Sequence, residues 1–242
     1  MLKLPNKNRK GRRLFMKGII FDFNGTMFQD SHLHEKAWFF MINKYSSKSI
    51  TDEEILMNIH GRTNNEILTY FISENLTDQE IRELSFEKEA YYRELCLKNK
   101  KELKLTEGLV ETLDQLKELG MPLTIATATV KENVEFYFEV FHLADWFDFN
   151  NVTFDDGSFP GKPEPNIFII AAKKLGFEPS ECLVIEDAVS GLTAAKKAGI
   201  GTIIAIDPFG KNRSLFQEKQ LGSGGIITDF TNFFEVAASS SI

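Results

Sequence analysis

The chain is poor in the residues that build disulfide frameworks, zinc sites and membrane spans. It has two cysteines, Cys96 and Cys182, in 242 residues. They are too few and too far apart for either kind of site. Both read as buried filler in a protein of the reducing cytoplasm. No apolar run approaches the roughly 20 residues of a membrane span. The stretch Ile167-Phe168-Ile169-Ile170-Ala171-Ala172 is only of core length. A secretory signal is not expected either, because Leu14-Phe15-Met16 is interrupted by Lys17 and Gly18. Positive charge is also scarce: 28 Lys and Arg stand against 35 Asp and Glu, a net charge of −7. That balance argues against a nucleic-acid partner held by phosphate contacts.

The basic residues are unevenly placed. Six lie in residues 1–15 with no acidic neighbour, which leaves 22 basic against 35 acidic residues beyond them. The opening stretch has two readings. It is a basic arm for a nucleic acid or an anionic surface, or a disordered extension ahead of a start at Met16. The absence of an amphipathic period favours the second.

Lys17 to Phe23 reads as a buried strand, apolar without alternation, as a sheet covered on both faces requires. From Ser31 to Leu103 there is no proline, and Gly61 is the one glycine. Apolar residues there recur at helical spacing, at Ile67, Leu68, Phe71 and Ile72 and again at Ile81, Leu84, Tyr91 and Leu95. Beyond Leu105 strands and helices alternate. Helices are expected over 110–119, 131–141, 165–175 and 191–198, and strands over 122–126, 182–185, 202–206 and 226–227. A last helix is expected from Phe230, with a frayed tail from Ala237. This is an α/β chain: a doubly wound parallel sheet with an all-helical block inserted after its first strand.

In such a sheet ligands bind beyond the carboxyl ends of the strands. The residues there are Asp22, Asn24, Gly25 and Thr26 after the first strand, Thr127 and Ala128 after the second, Lys162 after a Pro-Gly loop, and Glu186-Asp187 after Leu183-Val184-Ile185. The set suits phosphoryl chemistry. A carboxylate attacks phosphorus. Mg²⁺ on Asp22, Glu186 and Asp187 offsets the repulsion. Lys162 adds a charge and Thr127 a hydroxyl. Small residues at 25 and 26 would let backbone N–H groups reach the phosphate.

Taken in order, these motifs resemble the haloacid dehalogenase superfamily, subfamily I, in its beta-phosphoglucomutase and phosphoglycolate phosphatase-like branch. The first motif, D-x-D-G-T, stands as Asp22-Phe23-Asn24-Gly25-Thr26. Thr127 matches the second, Lys162 in Gly161-Lys162-Pro163-Glu164-Pro165 the third, and Glu186-Asp187-Ala188-Val189-Ser190-Gly191 the fourth. The resemblance spans residues 17–230. It implies a Rossmann-like core over 16–30 and 104–242, with a helical cap over 31–103 that closes on the substrate. It also implies an aspartyl-phosphate on Asp22 and a metal held by Asp22, the Asn24 carbonyl, Glu186 and Asp187.

The chain departs from the pattern at Asn24, where relatives carry the aspartate that protonates the leaving oxygen and activates water. A carboxamide does neither. In the cap hinge the usual aspartate is one residue late, at Asp30. His34 falls where relatives carry a histidine, and it reads either as a substrate-facing or proton-relay group or as an ordinary hinge-helix residue. His60-Gly61-Arg62-Thr63 resembles the cap specificity loop, with Gly61 beside the substrate and Arg62 on a second anionic group. Asn64 stands where mutases carry an arginine. Asp155-Asp156-Gly157 reads as a turn.

The reading drawn is a Mg²⁺-dependent phosphatase of a small phosphorylated metabolite, slowed by Asn24. Its expected setting is cytoplasmic, without nucleic acid or membrane, as a monomer or weak dimer. The alternatives are a beta-phosphoglucomutase-like phosphosugar mutase and a phosphate-binding regulatory module. A metal-free dehalogenase is disfavoured by Glu186-Asp187, and a phosphonatase by the lack of a lysine among residues 60–64.

Overall fold

The computed structural model of the chain describes residues 16–48, 50–98 and 100–239, so the opening basic stretch lies outside the described residues. Six parallel strands form one sheet: β1 (Gly18–Phe21), β2 (Leu123–Val130), β3 (Thr153–Asp155), β4 (Cys182–Glu186), β5 (Thr202–Ile206) and β6 (Gly225–Ile227). Their spatial order is β3-β2-β1-β4-β5-β6. The central strand pairs Ile20 with Thr124 on one side and with Val184 on the other.

Among the described residues ten α-helices accompany the sheet. The insertion supplies α1 (Ser31–Tyr45), α2 (Asp52–Asn58), α3 (Asn64–Phe71) and α4 (Asp78–Lys98). The remainder are α5 (Leu109–Glu118), α6 (Lys131–Val140), α7 (Asn166–Leu175), α8 (Val189–Lys197), α9 (Arg213–Glu218) and α10 (Phe233–Ser239). No helix among the described residues is long and apolar enough to cross a membrane.

Successive strand residues point to opposite faces, which sorts the apolar side chains into two layers. Ile19, Phe21, Ile125, Leu183 and Ile185 meet Leu113 of α5, Val134 of α6 and Phe233 of α10. Ile20, Ala126, Val184 and Ala205 meet Phe168 of α7, Leu192 of α8 and Phe216 of α9. The inserted helices close a third cluster of their own around Trp38, Ile42, Ile67 and Phe71. Three of them begin with reciprocal caps, Thr51 with Glu54, Thr63 with Glu66 and Thr77 with Glu80. The insertion is also tied into the core, because Leu33, Ala37, Tyr92 and Cys96 join the first layer.

Three details differ from the sequence reading. Strand β2 runs on to Val130, because Thr127 and Thr129 are buried and polar residues there do not end the strand. Strand β3 and helix α9 are short, and neither has enough apolar residues to show a period. Residues 237–239 are not a frayed tail: Ala237 is buried and α10 extends to Ser239. Both thiols are buried, and burial pushes Cys96 up to about 12 and Cys182 up to about 11.

Candidate active site

Asp22 follows β1, Glu186 ends β4 and Asp187 follows it, so three carboxylates meet at the carboxyl edge of the two central strands. One oxygen from each lies within 4.8 Å of the others. Lys162 reaches in from the loop after β3. Its Nζ donates to Asp22 Oδ1 and to Glu186 Oε1, both at 2.7 Å, and its side chain is fully buried. Burial alone would lower this ammonium, but the two carboxylates hold it above the ordinary lysine range.

One ammonium does not balance three carboxylates in a desolvated site. Burial, opposed by Lys162 and helped by the charge of Asp22, pushes Glu186 up to about 7. Burial and the charges of Glu186 and Asp22 raise Asp187 further. Burial raises Asp22 as well, against the pull of Lys162. Such a cluster lacks positive charge, and all its donors are hard oxygens. Those are the properties of a site that could hold a divalent cation.

Two glycines are required by this packing. A Cβ on Gly191, in the first turn of α8, would fall 1.7 Å from Glu186 Oε1. A Cβ on Gly25 would fall 2.1 Å from Asp187 Oδ2, and its backbone is left-handed with φ +80°.

A cavity of about 70 Å³ opens beside Asp22 and Asp187. Asn24, Thr127, Ala128 and Thr129 line it from the core, and His34, Trp38, His60, Gly61, Arg62, Asn64, Lys88 and Glu89 from the insertion. Asn24 is held from behind. Its Nδ2 donates to Asp30 Oδ2 at 2.6 Å and to Tyr137 Oη at 2.7 Å, while its Oδ1 accepts from Thr127 Oγ1 at 3.3 Å. Tyr137 donates to Tyr92 Oη at 3.0 Å, and Tyr92 donates to Asp30 in turn. Asp30 Oδ1 accepts from the Gly25 N–H at 3.0 Å. Asn24, Asp30, Tyr92 and Tyr137 therefore form a closed buried ring.

The insertion adds a second polar chain. His34 stacks on Tyr92, with ring centres 3.8 Å apart. Lys88 Nζ lies 2.7 Å from His34 Nδ1 and 2.8 Å from Glu89 Oε1. Asn64 donates to Glu89 Oε1 at 2.8 Å, and Asn133 of α6 donates to Glu89 Oε2 at 2.6 Å. Burial would raise Glu89, but Lys88, His34 and the Asn133 hydrogen bond together outweigh it, and the carboxyl falls to about 2. Burial keeps His34 below the ordinary histidine range, and so neutral near pH 7. Arg62 NH1 donates to the Lys162 carbonyl at 3.3 Å, which links the insertion to the core across the cavity mouth.

The structure thus gathers Asp22, Asn24, Thr127, Ala128, Lys162, Glu186, Asp187, His34, Gly61 and Arg62 at one place. It does not bring Gly25 and Thr26 to the cavity. The Gly25 N–H is taken by Phe28 O and Asp30 Oδ1, and the Thr26 N–H by Phe23 O, so the loop itself uses the donors expected to face phosphate. Arg62 lines the cavity but bonds to backbone carbonyls of Met57 and Lys162. Asp155 and Asp156 accept from Gly157 N and Ser158 N and form a turn, as expected. Exposed His32 lies 3.1 Å from Glu102.

Lys88, Glu89, Trp38 and Thr129 were not singled out in the sequence. Lys88 did leave a signal. It falls four residues after Leu84 and four before Tyr92, a charge on the apolar stripe of a helix.

Comparison with known proteins agrees with this geometry. Among curated relatives, the validoxylamine A 7'-phosphate phosphatase of Streptomyces hygroscopicus subsp. limoneus is 29% identical over 184 residues, covering 76% of this chain and 83% of that protein. The fructose-1-phosphate phosphatase of Escherichia coli (strain K12) is 27% identical over 186 residues, covering 77% and 94%. A crystal structure of a HAD hydrolase, family IA, variant 3, from Entamoeba histolytica superposes with a TM-score of 0.80. It is 32% identical and covers 94% of this chain and 100% of that one. Residues 16–199 match the family model of haloacid dehalogenase-like hydrolases, and the chain is a member of that family.

Proposed function

We propose that the protein is a Mg²⁺-dependent phosphatase of a small phosphorylated metabolite, acting through a phosphoryl group carried on Asp22. The observation that carries this reading is the placing of Lys162 at 2.7 Å from both Asp22 and Glu186, with Asp187 in the same cluster and the cavity alongside. Relatives named as phosphatases of a validoxylamine phosphate and of fructose 1-phosphate support it.

In this reading Asp22 is the nucleophile. Asp22, Glu186, Asp187 and the Asn24 backbone carbonyl hold the cation, which supplies Lewis-acid stabilisation of charge on the phosphoryl oxygens when bound. Lys162 offsets the negative charge that builds as the carboxylate approaches phosphate. Thr127 offers its hydroxyl to a phosphoryl oxygen. The insertion excludes water and supplies the contacts to the rest of the substrate, with His34, Gly61 and Arg62 on its wall.

Asn24 favours a second reading, a phosphate-binding module that turns over slowly or not at all. The mutase reading is weakened because Asn64 is engaged with Glu89 and carries no charge for a distal phosphate. Turnover of a panel of phosphate esters with and without Mg²⁺, in the parent and in Asp22→Asn, separates these readings. Undiminished hydrolysis by Asp22→Asn overturns the nucleophile. Phosphoryl transfer to Asp22 without release of phosphate favours the binding module.

A further inference from the structure

We propose that the site serves phosphoryl groups on oxygens that depart as stable anions. Acyl phosphates, phosphoanhydrides and aryl phosphates belong to this class, and alkyl phosphomonoesters do not. The proposal rests on the phosphatase reading above and goes past it to the substrate class.

The argument begins with where the protons are. Asn24 lines the cavity beside the nucleophile, and both its N–H bonds point away from it, to Asp30 Oδ2 and Tyr137 Oη. This orientation is fixed by chemistry, since the Asp30 carboxylate only accepts. What Asn24 turns toward Thr127 is its carbonyl oxygen, an acceptor. The neighbouring hydroxyls are weak acids, and each has an acceptor within the protein. The Thr127 hydroxyl donates to Asn24, the Tyr137 hydroxyl to Tyr92, and the Tyr92 hydroxyl to Asp30. Lys88 donates to His34 Nδ1, so the proton of the neutral ring sits on Nε2. That N–H makes no hydrogen bond, with Asp30 Oδ2 3.4 Å away, and the N–H of a neutral imidazole is too weak an acid to protonate a departing oxygen. Asp30 itself is fully buried behind Asn24.

An alkoxide leaving group needs a proton as its bond to phosphorus breaks, and a carboxylate, phosphate or nitrophenolate does not. In the first step an Asp22 oxygen bonds to phosphorus while the bond from phosphorus to the leaving oxygen breaks. The electron pair stays on that oxygen, which departs as an anion. In the second step water bonds to phosphorus, the Asp22–phosphorus bond breaks, and Asp22 regains its carboxylate. Both water protons leave on dihydrogen phosphate. The Asn24 carbonyl oxygen accepts a hydrogen bond from that water and orients it. The missing general acid handicaps the first step for poor leaving groups by about 10²–10⁴-fold, while the missing general base slows the second step alike for every substrate and drops out of a kcat/KM ratio. The small volume beside Asp22, about 70 Å³, suits a compact acyl or phosphoryl group.

The test measures kcat/KM with Mg²⁺ for acetyl phosphate, 4-nitrophenyl phosphate, phenyl phosphate and glycerol 3-phosphate. The parent, Asp22→Asn and the double variant Asn24→Asp with Asp30→Asn are compared, so that intrinsic ester reactivity cancels. The parent is expected to favour acetyl and 4-nitrophenyl phosphate over glycerol 3-phosphate by about 10²-fold or more. The double variant is expected to narrow that ratio at least about tenfold. Comparable rates for glycerol 3-phosphate in the parent overturn the proposal. Loss of that activity in His34→Asn or Lys88→Met would then identify the cap pair as the proton source. A steep series in the parent that the double variant leaves unchanged also overturns it, while leaving the phosphatase reading intact. No turnover of any ester, and no phosphate on Asp22 from acetyl phosphate, overturns both.

Discussion

Asn24 Nδ2 stands 2.6 Å from Asp30 Oδ2, so an oxygen at that place would bring two carboxyl groups together in a buried site. Asn24→Asp alone is therefore expected to destabilise the fold by about 1–3 kcal/mol, because an attractive hydrogen bond becomes a like-charge contact. Adding Asp30→Asn should restore most of the loss. Urea unfolding of the two single variants and the double variant measures the coupling. A fully stable Asn24→Asp would show that the two positions are independent.

Lys162 is the one cation within reach of both Asp22 and Glu186 among the described residues. Lys162→Met leaves two buried carboxylates facing each other and is expected to cost about 3–5 kcal/mol. Millimolar Mg²⁺ should return part of it, since a ligand at a hundred times its Kd stabilises by about 2.7 kcal/mol. Thermal melts with and without Mg²⁺ check this. The parent should also gain stability, and Asp187→Asn should gain less. Indifference of every variant to Mg²⁺ would remove the cation from the proposed site.

Glu89 sets an acid limb. Its folded carboxyl lies at about 2, below its ordinary value of 4.5. A depressed carboxyl contributes stability that is complete above 4.5 and is lost as pH falls toward 2. The shift corresponds to about 3 kcal/mol. Burial lowers Lys88 in the same pair, against the pull of Glu89. Urea midpoints between pH 6 and pH 2.5 should therefore fall more steeply in the parent than in Glu89→Gln. Parallel slopes would show that Glu89 is not held ionised.

Gly191 offers the least room of the glycines near the site. Gly191→Ala must displace Glu186 or the start of α8, because the new methyl lands within bonding range of a carboxylate oxygen. The expected result is loss of Mg²⁺-dependent stabilisation together with a melting point several degrees lower. An unchanged Mg²⁺ response would mean that Glu186 is dispensable for the cation.

The catalytic edge was legible in the sequence because each of its residues follows an apolar run. Asp22, Thr127 and Glu186 inherit their places from strands whose burial is written in their composition. The ring behind Asn24 was not legible, because Tyr92 and Tyr137 come from α4 and α6 and meet only in three dimensions. Lys88 and Glu89 were hidden differently. They are adjacent in a strongly charged helix, and only packing against Trp38 and Asn133 distinguishes them from a solvated pair. The Gly25 and Thr26 donors were misjudged because the loop closes on itself, with Thr26, Met27 and Phe28 all donating to Phe23 O.

The two chain segments that enter and leave the insertion are joined to each other. Phe28 forms an antiparallel bridge with Leu105, Thr106 N donates to Met27 O at 2.8 Å, and Thr106 Oγ1 donates to Thr26 O at 2.8 Å. The sheet requires Ile19 beside Leu123, across an excursion that includes four helices. Loop-closure entropy depends on the flexible length between two paired points. Once the inserted helices have folded and their ends are clasped, residues 29–104 no longer count as slack chain. For the nascent sheet the insertion then behaves as a short connector, which lowers the entropy cost of pairing Ile19 with Leu123.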